Sequence, residues 1–393
     1  MLKLESNNKI TFFPVGNGDT TLISLKDNTN ILMDCNITKD SGDENVIERY
    51  DVIGYLLEKL PRDKSNIPHL DVFILSHPDI DHCRSIDKHF YLGNPSEYDN
   101  ESDKDKIIID ELWFAPGIFE EDEEDLNENA KAFKKEANRR KKLYENNDLE
   151  KSIIGGNRLR MIGSTDNEEL ENIKNITTSA GEYLNLINGK IQEEVSFFIL
   201  GPVKAENDDS EVERNQRSII LKIEFKINSK DVNNVVILAG DSRIENWKRI
   251  MKKNDLKNLK FDIFMAPHHC SWYFFSSEDY KLDPPPKADE DIISFIENGK
   301  EDENVRVIIA SCKEIKRNED NPPHYRAANN YKKAVGDSNF YCLSEYPSVD
   351  EPKPLTFIFT KFGPIKSEIE EVSEINSTKA LIKTASTPKT YGK

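Results

Sequence analysis

The feature that most constrains this chain is the apolar run at 70–75, LDVFIL, which passes directly into Ser76-His77-Pro78-Asp79-Ile80-Asp81-His82. A short, nearly continuous apolar segment is what a strand covered on both faces requires. Strands of that kind belong to sheets with a layer packed on either side. Four groups able to ligate a metal follow it within six residues. In a loop, residues 77, 79 and 81 can point to one side while 82 turns to a second position. Carboxylates and imidazoles so placed suit divalent cations. The plainer reading is a polar strand-end loop with an aspartate capping the next helix.

The rest of the chain repeats this β/α alternation. Strands are expected at 10–15, 20–25 and 30–33, the first two separated by the turn Gly16-Asn17-Gly18-Asp19 and the third ending at Asp34. Val46, Ile47, Tyr50, Ile53, Leu57 and Leu60 fall on one helical face, and Pro61 stops the helix. A strand is expected around 112–114. After an interruption come strands at 195–200, 218–225, 235–238, 261–265, 305–310 and 355–360, and a helix at 243–251. Gly240-Asp241 and Ala266-Pro267-His268-His269-Cys270-Ser271 each close one of these strands, and His324 follows another. Polar groups just past the C-terminal ends of strands occupy the usual position of sites in α/β proteins.

The organisation expected is a first αβ half at 1–115, a charged insertion or lid at 116–190, a second αβ half at 191–366 and a polar, disordered tail at 367–393. The insertion opens with the acidic EEDEED at 120–125 and continues with the basic KAFKKEANRRKK at 131–142. The basic run reads either as a phosphate-backbone contact, through Lys134, Lys135, Arg139 and Arg140, or as a solvated helix paired with its acidic neighbour. The insertion is also a candidate surface for a protein partner; the oligomeric state is left open.

Charge and cysteine content narrow the function. The net charge of −18 repels nucleic acid overall, although bound metals and local basic patches reverse the sign near a site. The five cysteines, Cys35, Cys83, Cys270, Cys312 and Cys342, form no C-x-x-C pair. Reduced, buried thiols fit better than a disulfide framework or a zinc knuckle. The chain has no run of eighteen apolar residues and residues 1–10 carry no apolar signal core, so a cytoplasmic protein without a membrane span is expected.

Taken together, the motifs resemble the metallo-β-lactamase fold, whose usual signature is H-x-H-x-D-H, and most closely the hydrolase domain of competence-type DNA-uptake proteins, the ComEC-like branch. That branch carries an aspartate in place of the second histidine, as Asp79 does here. The V-G-x-G-D turn is matched at 15–19, the aspartate after the next strand at Asp34, N-x-x-S at Asn215 to Ser218, G-D at 240–241, P-H-H-G-S at 267–271 and N-x-x-H at 321–324. The matched regions are roughly 8–115 and 194–362. Departures are Cys83 and Arg84 where two glycines are common, Cys270 in place of the glycine after H-H, and no histidine between His89 and His268.

The resemblance implies a four-layer αβ/βα sandwich with one or two divalent ions between the sheet edges. His77 and Asp79 would hold the first ion, Asp81 and His82 the second, and Asp241 both. His269 would ligate the second ion while His268 faces substrate, and His324 would contact a substrate oxygen or protonate a leaving group. Asp19, Asp34 and Asn215 would orient these ligands from behind. His69 and His89 are expected to be structural. The oxygen-rich donor set points to manganese as well as zinc, with magnesium also admissible. Asp81, His268 and His324 are the expected catalytic residues of a phosphodiesterase or nuclease acting on DNA. The alternatives are hydrolysis of a small ester, a cyclic nucleotide or a phosphocholine-type headgroup, and a non-enzymatic interaction module with a degenerate metal site.

Overall fold

The computed structural model describes residues 7–41, 50–163, 173–203, 217–298, 305–317 and 321–367. Asn215, the first residues of the expected helix around Tyr50 and nearly all of the polar tail lie outside the described residues. Among those described, no helix is long and apolar enough to cross a membrane.

Two mixed sheets carry the chain. The first runs, from one edge, Gly363–Lys366, Leu355–Thr360, Lys9–Phe12, Thr21–Ser24, Asn30–Met33, His69–Leu75, Ile107–Phe114, Arg158–Ile162 and Thr177–Thr178. Pairing is antiparallel up to Asn30–Met33 and parallel beyond it. The second runs Tyr183–Leu184, Val195–Gly201, Ile220–Phe225, Asn234–Leu238, Ile263–Met265, Val307–Ala310 and Phe340–Cys342. It too changes from antiparallel to parallel, at Asn234–Leu238.

Alternating side chains from both sheets form one shared core that includes Ile10, Val72, Ile74, Phe197, Ile223 and Met265. Trp113 meets Phe197 edge-on across the gap, and Phe225 stacks on Phe359. The opposite face of the first sheet is covered by the helices Val52–Lys59 and Glu128–Glu145. The opposite face of the second is covered by Ile244–Lys253, Glu290–Glu297 and Tyr325–Val335. Residues 70–75 are buried on both faces, as the LDVFIL run predicts.

The segment 116–190, expected as an insertion or lid, is built into these layers. Arg158–Ile162 extends the first sheet beside Ile107–Phe114. In the helix Glu128–Glu145, Ala130, Phe133, Ala137 and Arg140 recur every three or four residues and face the sheet. The second αβ half is likewise not confined to one sheet, because Leu355–Thr360 returns to pair with Lys9–Phe12.

Candidate metal centre

The C-terminal ends of the parallel strands in both sheets meet, and every motif residue that is described lies there. Two glycines set the approach. Gly18 adopts φ +137°, where a Cβ would overlap the Asn36 side chain, so only glycine closes the turn before Asp19. Gly240 adopts φ +48°, and a Cβ there would stand 3.1 Å from the Ser76 Cβ. That contact lets the end of Asn234–Leu238 pass against the end of His69–Leu75 and brings Asp241 to His77. Across the same seam the Ile219 amide donates to the Ser76 carbonyl at 3.0 Å.

Asp241 is buried at the middle of the cluster, with imidazoles on both of its oxygens. Its Oδ2 lies 3.6 Å from His77 Nε2 and 3.6 Å from His268 Nε2. Its Oδ1 lies 3.1 Å from His82 Nε2 and 3.5 Å from His269 Nε2. Asp79 stands 3.4 Å from His77 Nε2, and Asp81 stands 3.3 Å from His269 Nε2. Two donor sets therefore share one carboxylate. His77, Asp79 and His268 stand on one side, and Asp81, His82 and His269 on the other.

Buried groups behind the cluster fix the imidazole orientations. Asp34 accepts from the Ser76 amide at 2.7 Å and from the Ser76 hydroxyl at 2.6 Å, and its Oδ2 lies 2.8 Å from His82 Nδ1. A carboxylate there holds a proton on His82 Nδ1 and makes Nε2, which faces Asp241, the nitrogen that would give up its proton to a metal. The Ser76 hydroxyl, having donated to Asp34, accepts from His77 Nδ1 at 3.1 Å, which turns the His77 Nε2 lone pair inward as well. His269 Nδ1 meets the Ser311 carbonyl at 3.1 Å, Asp19 at 3.4 Å and the Gly18 amide at 3.2 Å. Two acceptors against one donor favour the same tautomer.

The His268-His269-Cys270 turn has three successive left-handed residues, at φ 49°, 53° and 66°. Each non-glycine residue there costs roughly 1–2 kcal/mol, the kind of local strain that gathers at functional sites. Its result is visible in the rings, which stand 77° apart with centroids separated by 5.9 Å. Neighbouring histidines thus reach opposite oxygens of Asp241.

Charge follows geometry. Burial opposes ionisation of Asp241, yet His269, His82, His268 and His77 hold its carboxyl well below the usual range. Asp81 is lowered against its burial by His269 and His82. Burial disfavours a charged His82, but Asp241 and Asp34 raise it well above the ordinary imidazole range. His269, opposed by burial and favoured by Asp241, Asp19 and Asp81, rises to about 10. His268 falls to about 4, chiefly through burial, with His269 and Arg243 adding to it. In the metal-free protein the carboxylates are therefore balanced by protons on His82 and His269.

These residues fit a divalent ion. The buried His77 Nε2, His82 Nε2, His269 Nε2 and Asp241 Oδ1 have no hydrogen-bond partner among the described residues; the His82–Asp241 pair is short but lacks hydrogen-bond geometry. Asp19, His82, Asp241 and His269 offer ligand atoms within 4.8 Å of one another, and all four residues are buried. Asp19 thus lies close enough to count among the possible donors, while its contact with His269 Nδ1 is that of a group orienting the ring from behind.

No family model matches the chain, and no curated protein matches it. Among solved structures it is similar to a "Putative metal-dependent hydrolase" from Parabacteroides distasonis ATCC 8503, at 13% identity. The match covers 85% of this chain and 92% of that one, with a TM-score of 0.32. A likeness of that size carries no chemistry across, so function rests on the side chains described above.

The remaining predicted residues are placed as follows. His268, expected to face substrate, has its Nε2 on the Oδ2 side of Asp241, where His77 is the other imidazole. His324 is buried, its amide donates to the Cys270 carbonyl at 3.0 Å, and its ring packs beside Trp272 and Tyr280. Burial and Arg326 lower it to about 4, so it is neutral at pH 7. His69 pairs with Asp110 at 2.8 Å, at the opposite end of its strand, and His89 lies outside the cluster. All five cysteines are free and buried.

Within the basic helix, Arg140 and in part Arg139 are used inside the fold rather than presented to a phosphate backbone. Arg140 is 1% exposed, pairs with Glu136 at 2.7 Å and donates to the carbonyls of Ile109 and Arg158. Arg139 is held by Glu136, Asn157 and the Gly156 carbonyl. Those carbonyls lie at the starts of their strands, the end away from the metal centre. Lys134 donates to the Glu121 carbonyl. Lys135 is exposed, but on this outer helix.

Proposed function

We propose that the chain is a metal-dependent hydrolase of phosphodiesters, built on the metallo-β-lactamase type of αβ/βα sandwich and using two divalent ions, manganese or zinc. The observation that carries this is Asp241, one carboxylate facing a donor set on each oxygen. Divalent ions held there would supply Lewis acidity and a water of lowered pKa. A phosphodiester is the class of substrate this suits, because its transition state needs charge neutralised rather than a covalent partner.

The chain's own residues do the rest. Asp34, Ser76 and Ser311 fix the imidazole tautomers, so the donor atoms are in place before substrate arrives. The Asp79 and Asp81 side chains are 31% and 27% exposed and that of His268 16%, whereas His77, His82 and Asp241 are closed off. Substrate therefore enters over Asp79, Asp81 and His268. His324, neutral at pH 7, is suited to hydrogen-bond a substrate oxygen rather than to give a leaving group its proton.

DNA is the first substrate to try, on the ComEC-like resemblance. The interior use of Arg139 and Arg140, with the net charge of −18, favours a second reading in which the phosphodiester is small. Metal-stripped protein is to be resupplied with Mn²⁺, Mg²⁺ or Zn²⁺ and given labelled linear DNA, a cyclic nucleotide and bis(p-nitrophenyl) phosphate. Metal-dependent cleavage of any of these, lost in Asp241→Ala, supports the reading. No cleavage with metal bound contradicts it.

A further inference from the structure

Next to the metal centre, four polar side-chain atoms around the start of the helix Tyr325–Val335 have no hydrogen-bond partner among the described residues. They are Trp272 Nε1, Asn321 Nδ2, Arg326 Nη1 and His324 Nδ1. Buried polar groups are normally satisfied, so four in one contact network call for a common explanation. Three of them are obligate donors. Asn321 is oriented by its own oxygen, which accepts from the Trp272 amide at 2.7 Å and leaves the buried NH₂ as the unpartnered donor. Trp272 is 1% exposed, and its ring lies under the Arg326 guanidinium at 3.9 Å. Arg326 is tethered at its other nitrogen to the Pro286 carbonyl, which leaves Nη1 uncommitted. Among the described residues no carboxylate pairs with it.

The helix adds to this field. It is eleven residues long, and its N-cap, His324, makes no side-chain cap, so its first amides also lack intrahelical partners. A helix start with a tethered arginine and two further N–H donors has the make-up of an oxyanion site. Its position ties it to the metal centre. The His324 amide is bonded to Cys270 in the His268-His269-Cys270 turn, and Asn17, in the turn before Asp19, donates to the Pro322 carbonyl at 3.0 Å.

We infer that Trp272, Asn321 and Arg326 form a phosphate subsite beside the metal centre, which holds a second phosphate group of the substrate next to the one cleaved. The inference rests on the phosphodiesterase reading for the identity of the anion, not for the existence of the cluster of unpartnered donors. It accounts for how an acidic chain whose basic helix lies away from the metal centre could still select a polyanionic substrate.

The test is equilibrium binding of two non-hydrolysed nucleotides to the metal-loaded protein. Thymidine 5′-monophosphate reads the metal centre alone; thymidine 3′,5′-bisphosphate reads both positions. The bisphosphate is expected to bind at least about tenfold more tightly, the size of a charge-assisted hydrogen bond. Arg326→Ala should bring that ratio close to one while leaving the monophosphate affinity unchanged. Trp272→Phe keeps the ring and the net charge and removes one donor, and should reduce the ratio about threefold or more. Lys135→Ala, a distant cation, should leave it unchanged, which separates a local subsite from general attraction. A wild-type ratio of one, or equal loss in Lys135→Ala, overturns the inference. If no phosphodiester is hydrolysed but the ratio still collapses in Arg326→Ala and Trp272→Phe, the subsite stands and the hydrolase reading fails.

Discussion

Replacing Asp34 by asparagine should weaken metal binding without touching a ligand. Asp34 sits at φ 59°, a conformation asparagine also tolerates, so the backbone should be retained. Its three hydrogen bonds divide unequally between the two oxygens. Oδ1 takes the Ser76 amide, while Oδ2 faces the Ser76 hydroxyl and His82 Nδ1. In the variant the amide oxygen keeps the Ser76 amide, and the NH₂ meets two groups that had been donors. The serine hydroxyl can rotate and accept. His82 can accept at Nδ1 only by moving its proton to Nε2, the atom that faces Asp241. The lone pair needed by the metal is then gone. Loss of a group that orients a ligand costs about 10–100-fold in affinity, or roughly 1.4–2.7 kcal/mol. Chelator competition measures the affinity, and ¹⁵N spectra of the imidazoles report the tautomer. Unchanged affinity with a proton still on His82 Nδ1 would refute the reasoning.

Other consequences follow from the same groups. Because His82 and His269 are cationic in the metal-free protein at pH 7, metal uptake should release up to two protons, and affinity should climb about tenfold per pH unit for each proton displaced; titration calorimetry in buffers of different ionisation enthalpy counts them. His269 has a folded pKa of about 10, above its unfolded value of roughly 6.5. Its contribution to the metal-free protein is therefore complete below the unfolded value and lost as pH rises through 10, so urea midpoints should fall across that window. His268, lowered to about 4, acts in the opposite direction and should remove stability as pH falls from roughly 6.5 towards 4. Arg140→Ala should destabilise the fold by about 1–3 kcal/mol, because the buried carbonyls of Ile109 and Arg158 lose a donor while Glu136 keeps only Arg139, yet leave the metal affinity of the folded fraction unchanged. A stable Arg140→Ala protein with weakened DNA binding would return that residue to a surface role.

How much could be read from the sequence depended on whether composition and burial agreed. LDVFIL announced a strand because both faces of 70–75 are covered and no polar residue on either breaks the run for long. The Asp79, Asp81 and His82 loop was legible because its residue types are costly to bury without a purpose. The helix Glu128–Glu145 carries an equally regular stripe, but Arg140 and Glu136 sit on its buried side, so a lining of the core looked like a solvated charge run. The helix Tyr325–Val335 was missed beside His324, although Ala327, Ala328, Tyr331 and Ala334 are spaced for one buried face. The division of labour between His268 and His269 was beyond any spacing argument, because it depends on three successive left-handed residues. The closeness of Asp19 to the cluster likewise needs the Gly18 turn to be seen closing against Ser311, whose hydroxyl donates to the Gly18 carbonyl at 2.6 Å.

The most direct test of the shared carboxylate is the number of metal ions per chain, read by native mass spectrometry on protein stripped and reloaded with Mn²⁺ or Zn²⁺. Wild type should take up two ions, His268→Ala should keep one, and Asp241→Ala should lose both. A single ion in wild type that survives in Asp241→Ala would contradict a centre organised around Asp241.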